Sequence, residues 1–211
     1  MLLRLAALGL LAALAVFLVG ATADAQTTPT SVSLVDNTSE ADETTLNFSR
    51  DRAYWFETGS SADGYTLTSV ELDMTVGDAT GTDPAYSIAI YTGTGTVPGS
   101  MVGSALTKPA SLSTGLNTFT ASGDGIPLSA NTWYGVVLKV TGNGTSGPLV
   151  KTTASGDEDG LAGWIIGNHH SHATRGTTNW ALNLTIGAPQ MKVCIDRSKT
   201  RPVIALKLGH L

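Results

Sequence analysis

Asn168-His169-His170-Ser171-His172 gathers three of the chain's four histidines within four positions. Imidazoles this close together suit Zn²⁺, Cu²⁺ or Ni²⁺. In an extended segment His170 and His172 face the same way. A structural zinc site takes about four ligands, so Cys194 or an acid would have to join from elsewhere. The plainer expectation is a polar loop between Trp164 and Trp180 that happens to hold histidine. Asp157-Glu158-Asp159-Gly160 is the densest acidic cluster. Carboxylates in a glycine-flanked loop suit Ca²⁺. The spacing is not that of an EF-hand, however, and adjacent residues rarely all ligate one ion, so a solvated turn is the simpler reading. No cofactor is therefore expected. His169, His170, His172, Asp157 and Asp159 are the candidates should Ca²⁺ or Zn²⁺ bind.

The aromatic residues carry a different chemistry. Trp55, Trp133, Trp164 and Trp180, with Tyr54, Tyr65, Tyr86, Tyr91 and Tyr134, could stack on sugars if two or three lay exposed on one face. Aromatic rings more often fill cores, where they dominate buried area. Trp180 alternates with Leu182 and is expected in the core. Neighbours on a strand point opposite ways, so Tyr54 and Trp55 are the best candidates for an exposed ligand-binding ring, Trp55 above all. Catalytic motifs are missing. The chain has neither a Gly-x-Ser-x-Gly elbow nor the His-Glu-x-x-His of zinc proteases. Paired carboxylates of the glycosidase kind are spatial and stay open as a remote alternative.

The elements that must position these residues have period two, and no long segment has helical spacing. Trp180–Ile186 alternates most cleanly, with Trp180, Leu182, Leu184 and Ile186 on one face. Thr132–Val140 places Tyr134, Val136, Leu138 and Val140 on one face and Trp133 and Val137 on the other, as in a central strand covered on both sides. Tyr65–Val76 changes parity at Thr68-Ser69, which predicts a bulge or bend. Arg52–Thr58, Tyr86–Tyr91, Val102–Leu106, Leu116–Thr120, Leu149–Thr153, Leu161–Ile166 and Met191–Ile195 are shorter strands. The segments between them hold Gly, Asn, Asp and Pro, the residues of tight turns. The pattern predicts a single all-β domain, an antiparallel two-sheet β-sandwich of jelly-roll-like topology.

The two ends read differently. Met1–Ala25 runs from Arg4 through an apolar stretch to Ala23-Asp24-Ala25, the order of a secretory signal peptide with cleavage before Gln26. Its apolar run is shorter than the roughly 20 residues that span a bilayer. Residues 26–43 read as a polar lead-in, 44–195 as the sandwich and 196–211 as a short basic tail. The whole chain carries a net charge of −5, while the five bases of residues 192–211 face only Asp196. An acidic body without clustered Lys and Arg argues against nucleic acid. Cys194 is the one cysteine, so no internal disulfide forms and a quiet structural thiol is expected.

An ordered set of segments resembles the choice-of-anchor R domain family of exported bacterial surface domains. The set opens with Ala53-Tyr54-Trp55-Phe56-Glu57-Thr58-Gly59-Ser60 and Gly64-Tyr65-Thr66-Leu67. It continues with Ile88-Ala89-Ile90-Tyr91 before Val97-Pro98-Gly99, then with Phe119-Thr120-Ala121, Ile126-Pro127-Leu128 and Trp133-Tyr134. Gly163-Trp164-Ile165-Ile166 before Trp180 completes it. The resemblance covers roughly residues 45–193. It implies an extracytoplasmic β-sandwich with no established catalytic residues, held at the surface by one of several C-terminal anchors. After Ile195 this chain has no sorting motif and no apolar span, so release is expected at least as much as attachment.

Together these readings predict a secreted or cell-surface, non-enzymatic domain with a structural or adhesive role toward an extracellular polymer or protein. No transmembrane anchor is expected after signal cleavage. The alternative is a carbohydrate-binding module that uses exposed aromatics.

Overall fold

The computed structural model describes residues 31–47, 49–76, 85–141, 148–154 and 160–197. The signal segment, most of the basic tail, and Asp157 and Asp159 lie outside the described residues. Among the described residues fourteen strands in two antiparallel sheets form a β-sandwich.

The first sheet has eight strands. Its hub is β4 (Tyr65–Thr75), preceded in the chain by β1 (Ser31–Asp36), β2 (Asp42–Asn47) and β3 (Asp51–Glu57), of which β3 belongs to the second sheet. β5 (Tyr86–Gly93) and β6 (Pro98–Val102) follow, also in the second sheet. Then come β7 (Gly115–Thr120) and β8 (Ile126–Leu128), which both pair with β4. β9 (Trp133–Val140) is in the second sheet, and β10 (Leu149–Thr153) in the first. β11 (Ile165–Ala173) and β12 (Ala181–Asn183) complete the second. β13 (Ala188–Pro189) and β14 (Met191–Asp196) complete the first. The path through the first sheet is β1-β14-β4-β10-β13, with β2 on β10; the second runs β12-β11-β3-β9-β5-β6.

The parity change inside Tyr65–Val76 is a bulge. On β14, Cys194 opposes Ser69 and Ile195 opposes Leu67, so Thr68 is skipped. The slip lets Tyr65 and Leu67 on one side of Thr68, and Val70, Leu72 and Met74 on the other, all reach the core. β9 lies between β3 and β5, as its two covered faces require. One apolar cluster spans both sheets, from Leu67, Leu72 and Val193 to Phe56, Ile88 and Leu138. Within it Phe56 stacks on Trp164 at 5.8 Å and on Tyr134 at 5.9 Å, and Tyr65 meets Trp164 edge-on at 4.8 Å.

Several expectations change. The sandwich begins at Ser31 and not at 44, because β1 pairs with β14 and β2 with β10. β1 hides its period behind a bulge between Ser33 and Val35, and β2 is almost wholly polar. Trp180–Ile186 does not form a long buried strand. Only Ala181–Asn183 pairs, and Leu182 and Leu184 are 41% and 71% exposed. The strand stops because the Asn183 side-chain oxygen accepts from the backbone N–H and the hydroxyl of Thr185, a local turn that competes with the ladder. Trp180 is half-buried. Leu161–Gly163 is a 3₁₀ turn, with the strand starting at Ile165. Pro98–Val102 pairs with β5, so the hairpin there is tighter than Val102–Leu106 implied.

Candidate functional site

The histidine segment is strand, not loop: it is the middle of β11. A jump in register between Ile166 and His170 against β3 sets His169 apart from His170 and His172, whose ring centres lie 6.1 Å from each other. His170 lies opposite Tyr54 and His172 opposite Arg52. These four alternate with Ala53 and Ser171, so they face inward between the sheets. Arg52 donates from Nη1 to His170 Nε2 at 3.0 Å. A guanidinium is a donor only, so Nε2 must be the acceptor and the ring proton sits on Nδ1. His170 Nδ1 is buried without a partner, as are His172 Nδ1 and the Tyr54 hydroxyl.

That arrangement removes the lone pair a metal would need. Nδ1 carries the proton, and Nε2 is occupied by Arg52. His169 turns the other way and bonds the Gly95 carbonyl at 2.6 Å. Cys194, the proposed additional ligand, lies in the other sheet opposite Ser69. Among the described residues no group of three His, Cys, Asp or Glu side chains is placed to hold a metal ion.

The electrostatics follow from burial. Desolvation, reinforced by Arg52 and the neighbouring histidines, pushes His170 down to about 3, so the ring is neutral. His172 is lowered for the same first reason, with Arg50 and Arg52 adding to it. Burial raises the Tyr54 hydroxyl to about 12 against the pull of Arg52. Burial also lowers Arg52. This is a buried polar knot in which an uncharged imidazole and phenol surround the Arg52 cation.

Tyr54 and Trp55 do point opposite ways, but neither is exposed. Both are fully buried, so neither ring offers a face to a ligand. Trp55 reaches the outer face of the six-stranded sheet and is roofed there. Its Nε1 donates to Ser171 Oγ at 3.0 Å, and that hydroxyl donates to the Thr96 carbonyl at 2.5 Å. The β5–β6 hairpin is thereby tied over the indole. Glycines make room for it: a Cβ on Gly93, Gly135 or Gly167 would stand 2.5, 3.0 or 3.0 Å from Trp55 atoms.

Around this plug the outer face stays apolar. Leu182, Ser171, Ala53, Val137 and Ala89 lie in one cross-strand row. Tyr91, Trp133 and Trp180 are half-buried beside Trp55. Met101, opposite Tyr91 in the ladder, is 50% exposed, and Val97 47%. Lys139 holds its ammonium 4.8 Å from the Tyr91 ring centre. A solvent-facing sheet side ordinarily alternates to polar residues. Sequence reasoning allowed for two or three rings on one face, but it singled out Tyr54 and Trp55 and put Trp180 in the core, so it did not bring Tyr91, Trp133 and Trp180 together. The signal available was Gly135 inside an otherwise bulky strand, which marks a close approach.

A second feature lies at one end of the sandwich. Leu34, Ser60, Ser61, Tyr65, Leu161, Ile195 and Arg197 line a cavity of about 340 Å³. A neighbouring hollow of about 370 Å³ runs along Ser33–Asp36 and shares Leu34 and Leu161 with it. No family model, no curated protein and no solved structure matches this chain.

Proposed function

We propose that this chain is an exported, non-enzymatic β-sandwich that holds an extracellular polymer or protein through the outer face of its six-stranded sheet. The role is structural or adhesive, in a secreted or surface-attached protein. The observation that supports it is the apolar outer face, where Val97, Met101 and Leu182 stand roughly half exposed around a ring of tryptophan and tyrosine. Exposed apolar residues gathered on one face are a sign of an interaction surface. The test is retention of the mature chain, beginning at Gln26, on cell-envelope and extracellular-matrix material. Wild-type protein is expected to be retained and a Met101→Glu, Leu182→Glu double variant to wash off. Equal retention of the two would remove this face from the reading.

A second reading, carbohydrate binding, is favoured by Tyr91, Trp133 and Trp180 sharing that same face. On a glycan array it expects binding to one glycan class, lost in Trp133→Ala. Binding spread evenly over unrelated glycans, or none, would sink it.

A further inference from the structure

We infer that the outer face of the six-stranded sheet pairs with the same face of a second copy of this chain, which rests on its being the interaction surface proposed above and names its partner. Charge is laid out along the strands in a way that fits this. Alternation puts Asp51, Glu57 and Lys139 on the outer side of β3 and β9, with Ala53, Trp55, Gly135 and Val137 between them. Asp51 is buried and engaged: Oδ1 accepts from the Val140 N–H at 2.9 Å and Oδ2 from the Gly176 N–H at 3.3 Å. Glu57 shares a cross-strand row with Ile165 and Trp133 and is half-buried. Its carboxylate has no hydrogen-bond or ion partner among the described residues. Lys139 is exposed and holds its ammonium against the Tyr91 ring. The rows of Glu57 and Lys139 lie six residues apart along β9, about 20 Å. The face thus carries an acid at one end, a base at the other and apolar residues between.

That layout is complementary to itself. A two-fold axis can lie in the interface, across the strands and midway between Glu57 and Lys139. Rotation about it turns the second sheet over and reverses its strands. Each Glu57 then stands over Lys139 of the second copy, so one symmetric contact forms both ion pairs. The same rotation keeps each edge of the sheet over its counterpart. Met101 on β6 and Leu182 on β12, 50% and 41% exposed, therefore meet apolar edges and not water. The centre is low, since Ala53, Gly135, Val137 and Ala89 are small or short and Trp55 is sealed beneath its hairpin. Two sheets can approach there to the usual spacing of about 10 Å. Five strand spacings of about 4.8 Å by about 20 Å of strand give roughly 500 Å² a side. That is small for a stable interface, so pairing belongs at micromolar concentrations. A sugar chain would use the rings but has no need of opposite charges at the two ends.

Sedimentation velocity of the mature chain, from about 1 µM to about 300 µM, reads the pairing directly. Wild type is expected to pass from monomer to dimer with a Kd of about 10–100 µM. Glu57→Lys alone and Lys139→Glu alone each set like charges against each other twice. Each should weaken pairing at least about tenfold. Mixed in equal amounts, the two single variants should pair with each other about as well as wild type does, because every contact is again between opposite charges. A chain carrying both substitutions should dimerise too. Met101→Glu with Leu182→Glu should stay monomeric across the range. Single variants that dimerise like wild type, or that fail to pair when mixed, overturn the proposal. Dimers indifferent to Met101→Glu with Leu182→Glu put the pairing on another surface and overturn it as well. A wild type that stays monomeric yet is retained on envelope material overturns self-pairing alone, and leaves the outer face to a different partner, a glycan included.

Discussion

A histidine kept neutral by burial makes a protein sensitive to acid. The folded pKa of His170 is about 3, below the ordinary 6.5 that it regains on unfolding. As pH falls below 6.5 the unfolded chain takes the proton first. Stability is therefore complete above 6.5 and drains as pH falls toward 3. At pH 5 the loss is roughly 2 kcal/mol. His170→Gln keeps an acceptor for Arg52 and cannot titrate. Its urea-unfolding free energy should fall less between pH 7 and pH 5 than the wild type's, by about that amount. Parallel curves would refute the assignment. Gly93 is the other decisive single position. A methyl there would sit 2.5 Å from the Trp55 ring and 2.7 Å from the Val97 carbonyl. Gly93→Ala should cost about 1–3 kcal/mol by overpacking, measured by denaturant unfolding.

Strands of the same composition differ in worth according to where they stand. Leu72 in β4 is fully buried between Met191 of β14 and Asn117 of β7. Leu72→Ala should cost about 2–5 kcal/mol. Leu184 lies just past the edge strand β12, and Leu184→Thr should change stability by no more than about 0.5 kcal/mol. Similar losses for the two would contradict the placement of β12. The same contrast explains what the sequence could tell. Alternation located β4, β7, β9 and β10 almost to the residue, and the parity slip at Thr68 foretold its bulge. Alternation cannot say whether the partner face exists, so Trp180–Ile186 looked buried when only its first residues pair. It also passes over polar strands such as β2, which are fixed by their neighbour and not by their own pattern. The histidines were visible as a cluster. Which way each ring turned depended on a register jump against β3, a property of two segments far apart in the chain.

At the scale of the molecule, one apolar cluster ties both sheets together, and no disulfide supplements it. Cys194 is buried in β14, and burial raises its thiol pKa, first among the causes acting on it. A thiolate is the reactive form. The native protein should therefore resist a chromogenic disulfide reagent and react only as the sandwich opens. The labelling rate should match that of global unfolding. Fast labelling under native conditions would show that β14 detaches by itself. Ion pairs on the outside of the first sheet, Lys192 with Glu71 and Lys151 with Asp42 and Asp73, are partly exposed and add little beside the core, about 1 kcal/mol each. Raising the salt concentration should leave the melting temperature almost unmoved.

The four tryptophans stand at graded depth. Trp55 and Trp164 are sealed in, while Trp133 and Trp180 reach the surface on the same side. Their fluorescence is thus divided into a shielded half and a half open to a collisional quencher such as acrylamide. Anything that lands on the outer sheet face must screen the open half alone, whereas a molecule bound elsewhere should leave it as accessible as before. The chain carries its own label-free gauge of which surface a ligand has chosen.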